Sequence, residues 1–444
     1  MKMKKIVALG LTAVMTLGLL VGCGGSSDSS ETDTSEATSS DTNSTEVEEV
    51  TLTLLIDTDV TLAGFEAVCA LAEEELGITI DIETRPGGND GDNIVKTRLA
   101  AGDMADLCLY NSGALLAALN PSEYFIDISG ESWAGNLDDT YASSVTVAGA
   151  TYGIPYSSTQ AGAVVYSKTL YDEYNLEVPT TWDEFMDNCK VLQDAGETAI
   201  LGTSGDSWTS QVAFLGDNYS IMYNDPDFAT GLEAGTTKWA TSDEGVRSFE
   251  KLADTAMYYN DDFLATTYDD GCDIMANGEA GHWIILTQAL SNIYELYGDQ
   301  VNDLGVFAVP GDTEEENGLT AWMPSSIYGN KNSENQDAIL KFMEFYISYE
   351  ALDAYTSVIL PDGPYCVEGY ELPDNAYTAV SEDMQAYFDA GKTNVALEFL
   401  TPVKGADCMT ICQELVSGQT TPEQAAAKYD EDCAKMATQL GLDW

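Results

Sequence analysis

The chain has 444 residues, with 75 Asp and Glu against 17 Lys and Arg, so its formal net charge is −58. This deficit of basic residues argues against a nucleic-acid partner and against electrostatic docking on anionic lipid, because both need a basic surface. His282 is the single histidine, which excludes a metal site with two histidines and leaves little machinery for acid–base catalysis. The length is typical of two or three domains.

Residues 1–22 have the pattern of an export signal. Three lysines come first, and an apolar run from Ile6 to Val21 follows them. This run is shorter than the ~20 apolar residues that a membrane-spanning helix needs, whereas its size suits a signal peptide. Leu20-Val-Gly-Cys23 at its end resembles the bacterial lipobox, which implies cleavage before Cys23 and lipidation of that cysteine. A plain signal peptide followed by a chance cysteine is the alternative.

Residues 23–49 form a second segment of different composition. Between Gly24 and Glu49 half of the residues are Ser or Thr, eight are acidic and none is aromatic. Such a composition buries too little apolar surface to offset the entropy of ordering. We therefore expect a disordered tether that joins the lipid on Cys23 to a folded body at the extracellular face of the bacterial cell membrane.

The body that follows alternates strand and helix patterns. Its first part predicts three strands and three helices: strands at 51–56, 78–83 and 106–110, and helices at 62–76, 92–101 and 113–119. Asp92 is expected to cap the second of these helices. The order β-α-β-α-β is typical of a parallel sheet, so the predicted fold class is α/β, with helices packed on the sheets.

Beyond residue 149 the alternation continues. The predicted strands are 152–156, 161–167, 199–203, 280–286, 304–309 and 321–328. The predicted helices are 181–194, 242–258, 339–349, 376–390, 407–417 and 422–440. Thr181-Trp-Asp-Glu184 has the spacing of a capping box, in which the two side chains satisfy the first free amides of a helix.

Eight cysteines follow the one at the lipobox. Export permits disulfides, yet Cys69 lies in the apolar stripe of a predicted helix, as buried thiols do. Cys408 and Cys412 are one helical turn apart, where Cβ atoms ~5–6 Å from each other are too distant for a disulfide. The sequence therefore favours mostly free thiols, with a bond between Cys412 and Cys433 as the exception.

Several stretches, in the same order along the chain, resemble the sugar-type extracellular solute-binding proteins of ABC importers, of which the maltose-binding protein is a relative. They are Leu52-Thr-Leu-Leu-Ile-Asp-Thr-Asp59 with Gly77-Ile-Thr-Ile80, Arg98-Leu-Ala-Ala-Gly-Asp-Met-Ala-Asp106, Tyr152-Gly-Ile-Pro-Tyr156 with Val164-Val-Tyr-Ser-Lys168, Pro179-Thr-Thr-Trp-Asp-Glu-Phe185, Asn277-Gly-Glu-Ala-Gly281, and Ser333-Glu-Asn-Gln-Asp-Ala-Ile-Leu-Lys-Phe342. Each motif is weak by itself, and their order behind a lipobox carries the resemblance.

The resemblance implies a two-lobed, type II-like periplasmic-binding-protein fold. Each lobe would be a sheet flanked by helices, and the ligand cleft would lie at the hinge, where the lobes close on the ligand. One lobe is expected to comprise residues 50–158 and 302–350. The other is expected to comprise residues 159–301 and 351–444.

Three candidate ligand contacts follow predicted strands. Asp57 and Asp59 come where the first strand ends, on the ligand side of an open α/β sheet, and Asn111 follows the third strand. In the resembled family these loops contact the ligand, and carboxylate and amide groups suit sugar hydroxyls. Alternatively, one of the two aspartates caps the next turn.

Four more candidates are tied to the crossings and to flat aromatic faces. Tyr156 and Gln160 lie in the first crossing, and the resemblance places Gln160 where relatives use a polar ligand contact. Trp208 stands in a polar run with no helical stripe to join, and Trp322 lies in a returning strand. An indole offers the flat apolar face that a sugar ring needs. Core packing is the alternative for each aromatic residue.

The strand at 280–286 supplies the last candidates. Relatives usually place a Trp at the end of this strand, whereas Trp283 comes earlier and the corresponding turn is closer to Leu286-Thr-Gln288. Trp283 is therefore as suitable for the core as for the ligand, and Gln288 becomes a candidate. His282 is expected to be structural.

The resemblance implies binding without chemistry: an extracellular lipoprotein that captures a sugar or oligosaccharide for an ABC importer by closure of its lobes. Its expected partners are the carbohydrate and the permease subunits of the importer. The chain is expected to be a monomer that meets the membrane through its lipid anchor only. No nucleic acid, cofactor, metal or catalytic residue is expected.

Two other functions stay open at this point. Asp57 and Asp59 would suit a receptor for a cationic solute, such as a polyamine or a peptide. A cell-surface glycoside hydrolase would need a pair of carboxylates. With 75 acidic residues such pairs arise anywhere by chance, and no motif marks one.

Overall fold

The structure is a computed structural model that describes residues 49–58, 60–86 and 88–444, without the side chains of residues 88 and 89. The predicted signal peptide, Cys23, most of the tether and Asp59 therefore lie outside the described residues. Among the helices that the structure does describe, none is long and apolar enough to cross a membrane.

Strands and helices alternate along the described chain. The strands are β1 (Val50–Asp57), β2 (Ile78–Arg85), β3 (Leu107–Tyr110), β4 (Thr146–Val147), β5 (Ala150–Thr151), β6 (Gly153–Pro155), β7 (Gln160–Ser167), β8 (Thr198–Leu201), β9 (Ala280–Leu286), β10 (Leu304–Ala308), β11 (Leu319–Trp322), β12 (Ser326–Gly329) and β13 (Thr393–Val395).

The α-helices are α1 (Ala63–Leu76), α2 (Gly88–Ala101), α3 (Ala114–Ala118), α4 (Pro121–Tyr124), α5 (Asp139–Ser144), α6 (Lys168–Tyr174), α7 (Trp182–Ala195), α8 (Val212–Gly216), α9 (Asn218–Asn224), α10 (Phe228–Glu233), α11 (Asp243–Thr255), α12 (Tyr268–Ala276), α13 (Gln288–Tyr297), α14 (Gln336–Tyr346), α15 (Tyr349–Thr356), α16 (Gln385–Asp389), α17 (Leu397–Leu400), α18 (Cys408–Val416) and α19 (Pro422–Leu440). A π-helical turn spans Ala379–Met384. Short 3-10 helices span Ser132–Asn136, Ser207–Gln211, Trp239–Thr241, Ala256–Tyr258, Gly298–Asp303 and Glu314–Glu316.

The first sheet has five strands in the order β2-β1-β3-β12-β6. β1 pairs in parallel with β2 and β3, as the alternation of strands and helices predicts, whereas β12 is antiparallel to both of its neighbours. This sheet shares one hydrophobic core with α1–α5, α14 and α15. We call the sheet and these helices lobe 1.

The second sheet is built around β7. Its main order is β13-β11-β7-β9-β8, and β10 pairs with the part of β7 that β11 leaves free. The apolar residues of this sheet, of α6–α13 and of α16–α19 form three hydrophobic clusters. We call the sheet and these helices lobe 2.

The chain passes between the lobes three times: between β6 and β7, between β11 and β12, and after α15. The prediction that the chain returns to the first lobe at residue 302 is wrong for β10 and β11, because both pair with β7. The assignment of residues 351–444 to the second lobe is wrong for α15, which packs on α1. A buried apolar strand carries no mark of the sheet that it joins, which explains the misplacement.

Local signals in the sequence locate some helix starts and miss others. Thr181 and Glu184 exchange the two hydrogen bonds of a capping box, so the predicted start of α7 is confirmed. The predicted start of a helix at Asp92 is wrong, because α2 begins at Gly88. A Cβ atom on Gly91 would lie 1.9 Å from the carbonyl oxygen of Pro86. The first turn can therefore pack against the end of β2 only because this residue is glycine.

Candidate ligand-binding cleft

A cavity of about 320 Å³ lies where the chain passes between the two sheets. All three crossings contribute to its wall, together with the loop after β1 and one residue of α15. The residues that line it are Val60, Thr61, Tyr156, Ser157, Ser158, Gln160, Trp322, Met323, Pro324, Ser325, Tyr355, Ile359, Leu360, Pro361, Asp362 and Tyr365. Tyr156, Gln160 and Trp322 were predicted from the sequence, and the structure brings these three together.

Trp322 and Gln160 are directly opposite each other in the antiparallel pair of β11 and β7. The indole Nε1 of Trp322 donates to Glu398 Oε1 at 2.8 Å, and Glu398 also forms an ion pair with Lys404. A Cβ atom on Gly162 would lie 2.5 Å from the indole ring, so the glycine makes room for it. An indole held at both its edge and its face stands beside an amide, which is a suitable pair for the apolar and polar sides of a sugar ring.

Asp362 places a carboxylate in the wall of the cavity. Its Oδ1 accepts a hydrogen bond from the Ser291 hydroxyl of α13, and its backbone amide donates to Ser158 Oγ at 3.2 Å. Burial raises the pKa of Asp362 to about 6, although the Ser291 hydroxyl opposes the shift. These bonds fix the third crossing to the first crossing and to a helix of lobe 2.

Tyrosine rings form another part of the wall. Tyr156 donates its hydroxyl to the carbonyl of Thr61 at 3.0 Å, and the Tyr355 ring packs edge-on between Tyr156 and Tyr365. Burial raises the pKa of all three tyrosines, so their hydroxyls stay neutral. The Tyr365 hydroxyl is buried and has no hydrogen-bond partner among the described residues. This part of the cavity thus combines aromatic faces with neutral hydroxyls.

Asp57 lies at the end of β1, as predicted, but it is engaged inside lobe 1. Its Oδ2 is 3.1 Å from Nη1 of Arg85, which stands opposite it in the pair of β1 and β2 and is only 3% exposed. Arg85 also donates to the carbonyl of Leu109 at 3.2 Å. Asp57 therefore neutralises a buried guanidinium, and it is not among the residues that line the cavity.

The other two candidate tryptophans are not among the residues that line the cavity. Trp283 is 1% exposed and donates to Thr203 Oγ1 at 3.2 Å, so the structure places it in the core of lobe 2. Trp208 packs on Tyr268 with 5.3 Å between ring centroids, and Tyr268 packs in turn on Trp283. The apparent lack of a helical stripe at Trp208 is explained by this contact with a distant helix, α12.

Asn111 and Gln288 do not line the cavity either. Asn111 follows β3, and its backbone carbonyl accepts from the Tyr328 hydroxyl at 3.0 Å. Gln288 begins α13 one turn before Ser291, the partner of Asp362. Asp59 lies outside the described residues.

His282 is structural, as predicted. It is fully buried, with Nε2 at 2.8 Å from the Tyr171 hydroxyl and Nδ1 at 2.8 Å from the carbonyl of Ala199. Burial lowers the pKa of His282 to about 4, so the ring is neutral at physiological pH. Within the described part of the chain, no group of three or more His, Cys, Asp or Glu side chains is arranged to hold a metal ion.

Sequence reasoning missed Asp362, Tyr365 and Tyr355. Asp362 and Tyr365 lie in the third crossing, which was expected near residue 351 and comes after α15, whereas Tyr355 belongs to α15 itself. A usable signal was present: Leu360-Pro-Asp-Gly363 has the composition of a turn that follows a helix. A turn with a carboxylate, placed between two lobes, would have marked Asp362 as a candidate.

Comparison with known proteins identifies the family. The model of the bacterial extracellular solute-binding proteins matches residues 58–352. The chain belongs to this family. The multiple sugar-binding protein of Streptococcus mutans serotype c is 25% identical over 308 residues, which cover 65% of this chain and 68% of that protein.

Solved structures of solute-binding proteins share the fold. A chitin oligosaccharide binding protein superposes with a TM-score of 0.69 at 21% identity, covering 88% of this chain and 99% of its own. RafE in complex with raffinose superposes with a TM-score of 0.67 at 18% identity, covering 87% of this chain and all of its own. The predicted two-lobed α/β fold is thereby confirmed for this solute-binding protein.

Proposed function

We propose that this solute-binding protein captures a sugar or oligosaccharide outside the cell and delivers it to the permease subunits of an ABC importer. The observation that carries the proposal is the cavity between the lobes. The Trp322 indole, the Gln160 amide and the Asp362 carboxylate all line this cavity. The names of the relatives support it, since they bind multiple sugars, chitin oligosaccharides and raffinose.

Closure of the lobes is the proposed mechanism. Because the cavity is built from the three crossings, a ligand in it contacts the segments about which the lobes would rotate. A ligand that touches both lobes binds the closed state better than the open one, and this difference in affinity drives closure. No bond is made or broken.

The membrane anchor is a further part of the proposal. The chain would be a monomer, lipidated at Cys23, and residues 24–49 would hold the folded body at a distance from the extracellular face of the membrane. Radiolabelled palmitate should enter the wild-type chain in bacteria, and the Cys23→Ala chain should lose both the label and its membrane retention. Retention of the variant in the membrane fraction would contradict the anchor.

Calorimetry on residues 24–444 tests the binding function. The panel contains galactose, melibiose, raffinose, stachyose, xylotriose and N,N′-diacetylchitobiose, and we expect saturable binding of at least one, with a change in tryptophan fluorescence and no turnover. Trp322→Ala should weaken that binding about tenfold or more, because a buried aromatic contact is lost. Trp208→Ala is the matched control, since Trp208 lies outside the cavity. Binding of no sugar, or equal loss in both variants, would contradict the proposal.

A receptor for a cationic solute is the second candidate, because Asp362 places a carboxylate in the cavity. Spermidine and a cationic peptide belong in the same calorimetric panel. If spermidine binds with higher affinity than every sugar and displaces them, a receptor for a cationic solute replaces the sugar receptor as the proposed function.

Release of reducing ends from an oligosaccharide would instead reveal a hydrolase.

A further inference from the structure

The charge of the cavity wall is the feature from which the ligand class follows. Among the described residues that line the cavity, Asp362 is the one that carries a formal charge at neutral pH, and no Lys, Arg or His is present. At the described part of the wall, a ligand therefore meets one carboxylate and no basic side chain.

We infer that the ligand is an uncharged or amino-bearing sugar that donates a hydrogen bond to Asp362, and that sugars carrying a carboxylate are rejected. This inference rests on the proposed function and narrows it. Asp362 thereby determines ligand specificity, in addition to fixing the third crossing through its hydrogen bonds.

The hydrogen bonds of Asp362 leave room for a ligand donor. Ser291 donates to Oδ1, whereas Oδ2 has no hydrogen bond to any described residue. An ionised carboxylate accepts only, so it can take a hydroxyl, amide or ammonium donor but cannot donate to a second carboxylate. Hydrogen bonds to a charged acceptor are also stronger than those between neutral groups. Asp362 therefore favours a donor and disfavours an anion for the same reason.

Two basic side chains of the described lobes are already paired with carboxylates. Arg85 is paired with Asp57 inside lobe 1, and Lys404 is paired with Glu398 behind Trp322. The hydroxyls of Tyr355 and Tyr365 are neutral, because burial raises the pKa of both. The net charge of −58 adds a repulsive field at long range. An anionic sugar would thus meet repulsion both on approach and in the cavity.

Matched sugars of different charge test the inference by calorimetry at pH 7.5 on residues 24–444. The sets are galactose, galactosamine and galacturonic acid; xylotriose and xylotriose substituted with glucuronic acid; and N,N′-diacetylchitobiose and its deacetylated form. In the galactose and xylotriose sets, we expect the carboxylate-bearing member to bind at least tenfold more weakly than the uncharged one. An amino-bearing member should bind as well or better.

Variants separate the role of Asp362 from general folding. Asp362→Asn should lower the affinity for the uncharged sugar about tenfold. It should also reduce the difference in affinity between the uncharged sugar and the acidic one. Asp353→Asn is the control, since Asp353 is exposed on α15 and, among the described residues, its carboxylate accepts only from the Tyr370 hydroxyl. The comparison of sugars within the wild-type protein stands even if Asp362→Asn does not fold.

Each outcome decides one claim. Equal binding of acidic and uncharged members overturns this inference while leaving a sugar receptor in place. An unchanged affinity in a folded Asp362→Asn protein also overturns it. Binding of no sugar of any charge overturns the proposed function, and this inference falls with it.

Discussion

Gly113 of lobe 1 lies directly against Phe399 of lobe 2: a Cβ atom on Gly113 would come 2.4 Å from the carbonyl oxygen of Phe399. Nearby, the hydroxyls of Thr140 and Thr393 are 3.3 Å apart. Neither contact involves a crossing segment, so the lobes meet here independently of the hinge. Contact between lobes at such a place is expected in a closed conformation and is lost when the lobes separate.

Gly113→Ala should hold the lobes apart. The added methyl group has no space in the closed arrangement, and overpacking of this kind costs typically 1–3 kcal/mol. We expect a weaker affinity for the sugar found by calorimetry and a larger radius of gyration in small-angle X-ray scattering with that sugar present.

The backbone of Gly113 requires a control, because its φ of 66° is unfavourable for alanine whatever the contact. Gly102 has a φ of 69° and nothing within 4 Å of an added Cβ atom. Gly102→Ala thus carries the same backbone strain without the contact between lobes. If both variants lose affinity equally, closure at Gly113 is not the cause.

Asp362 should make the stability of the free protein depend on pH. Burial raises its pKa to about 6 from an ordinary 3.8, so the folded state holds the proton more tightly than the unfolded chain does. The contribution of Asp362 to the free energy of unfolding is therefore at its maximum below about pH 4, and it is lost as the pH rises through about 6. A shift of this size corresponds to about 1–3 kcal/mol after allowance for partial exposure.

Urea denaturation of the wild type and of Asp362→Asn measures the contribution of Asp362 to stability, since the other acidic residues are common to both proteins. The difference in the free energy of unfolding, wild type minus variant, should decrease by that amount between pH 4 and pH 7. The groups around the carboxylate, Ser291, Tyr355, Tyr365 and Tyr377, are hydroxyls that do not titrate in this range. A difference that stays constant with pH would show that the pKa of Asp362 is ordinary.

The local elements were predictable from the sequence, whereas their assignment to lobes was not. The period of apolar residues located α1 and β1 closely, and the Thr181 capping box marked the start of α7. By contrast, residues 321–328 read as one extended stretch and are two strands in different lobes. Hydrophobic periodicity reports burial on one face, but it does not report which sheet supplies the partner.

The site was partly predictable for a related reason. Gln160 and Trp322 are close in the structure because β7 and β11 pair. Gln160 was predicted from the resemblance to a family, and Trp322 was predicted as a flat aromatic face in a returning strand. Asp57 was predicted as a ligand contact, whereas its engagement with Arg85 depends on the register of β1 and β2, which the sequence does not specify. Asp362 was missed because the third crossing was expected near residue 351, whereas it lies after α15.

The eight described cysteines should behave as free thiols. All eight are unbonded, including Cys412 and Cys433, and all except Cys69 are buried. Burial also raises the pKa of the partly exposed Cys69 to about 12, which keeps it in the unreactive thiol form. Alkylation of residues 24–444 should therefore be slow in the native protein and complete in urea without reductant. Mass spectrometry that finds fewer than eight labels in urea would reveal a disulfide.

The buried ion pair of Lys251 and Asp217 should be the most sensitive charged contact in lobe 2. Nζ of Lys251 lies 2.7 Å from Asp217 Oδ1, and both side chains are 3% exposed. Lys251 also donates to the carbonyl of Pro310 at 3.1 Å. Lys251→Met leaves the Asp217 carboxylate buried without its partner, so we expect a loss of about 3–5 kcal/mol in the free energy of unfolding.

The double variant Lys251→Met, Asp217→Leu distinguishes the energy of the pair from the penalty of an orphaned charge. Since replacing a whole buried pair by apolar side chains is often nearly neutral, the double variant should be more stable than Lys251→Met alone. Lys190→Met is the matched surface control, because Lys190 and Asp194 form an exposed pair and the change should not be measurable. Urea denaturation of the three variants gives the comparison. A double variant less stable than the single one would mean that the carboxylate contributes through contacts other than Lys251.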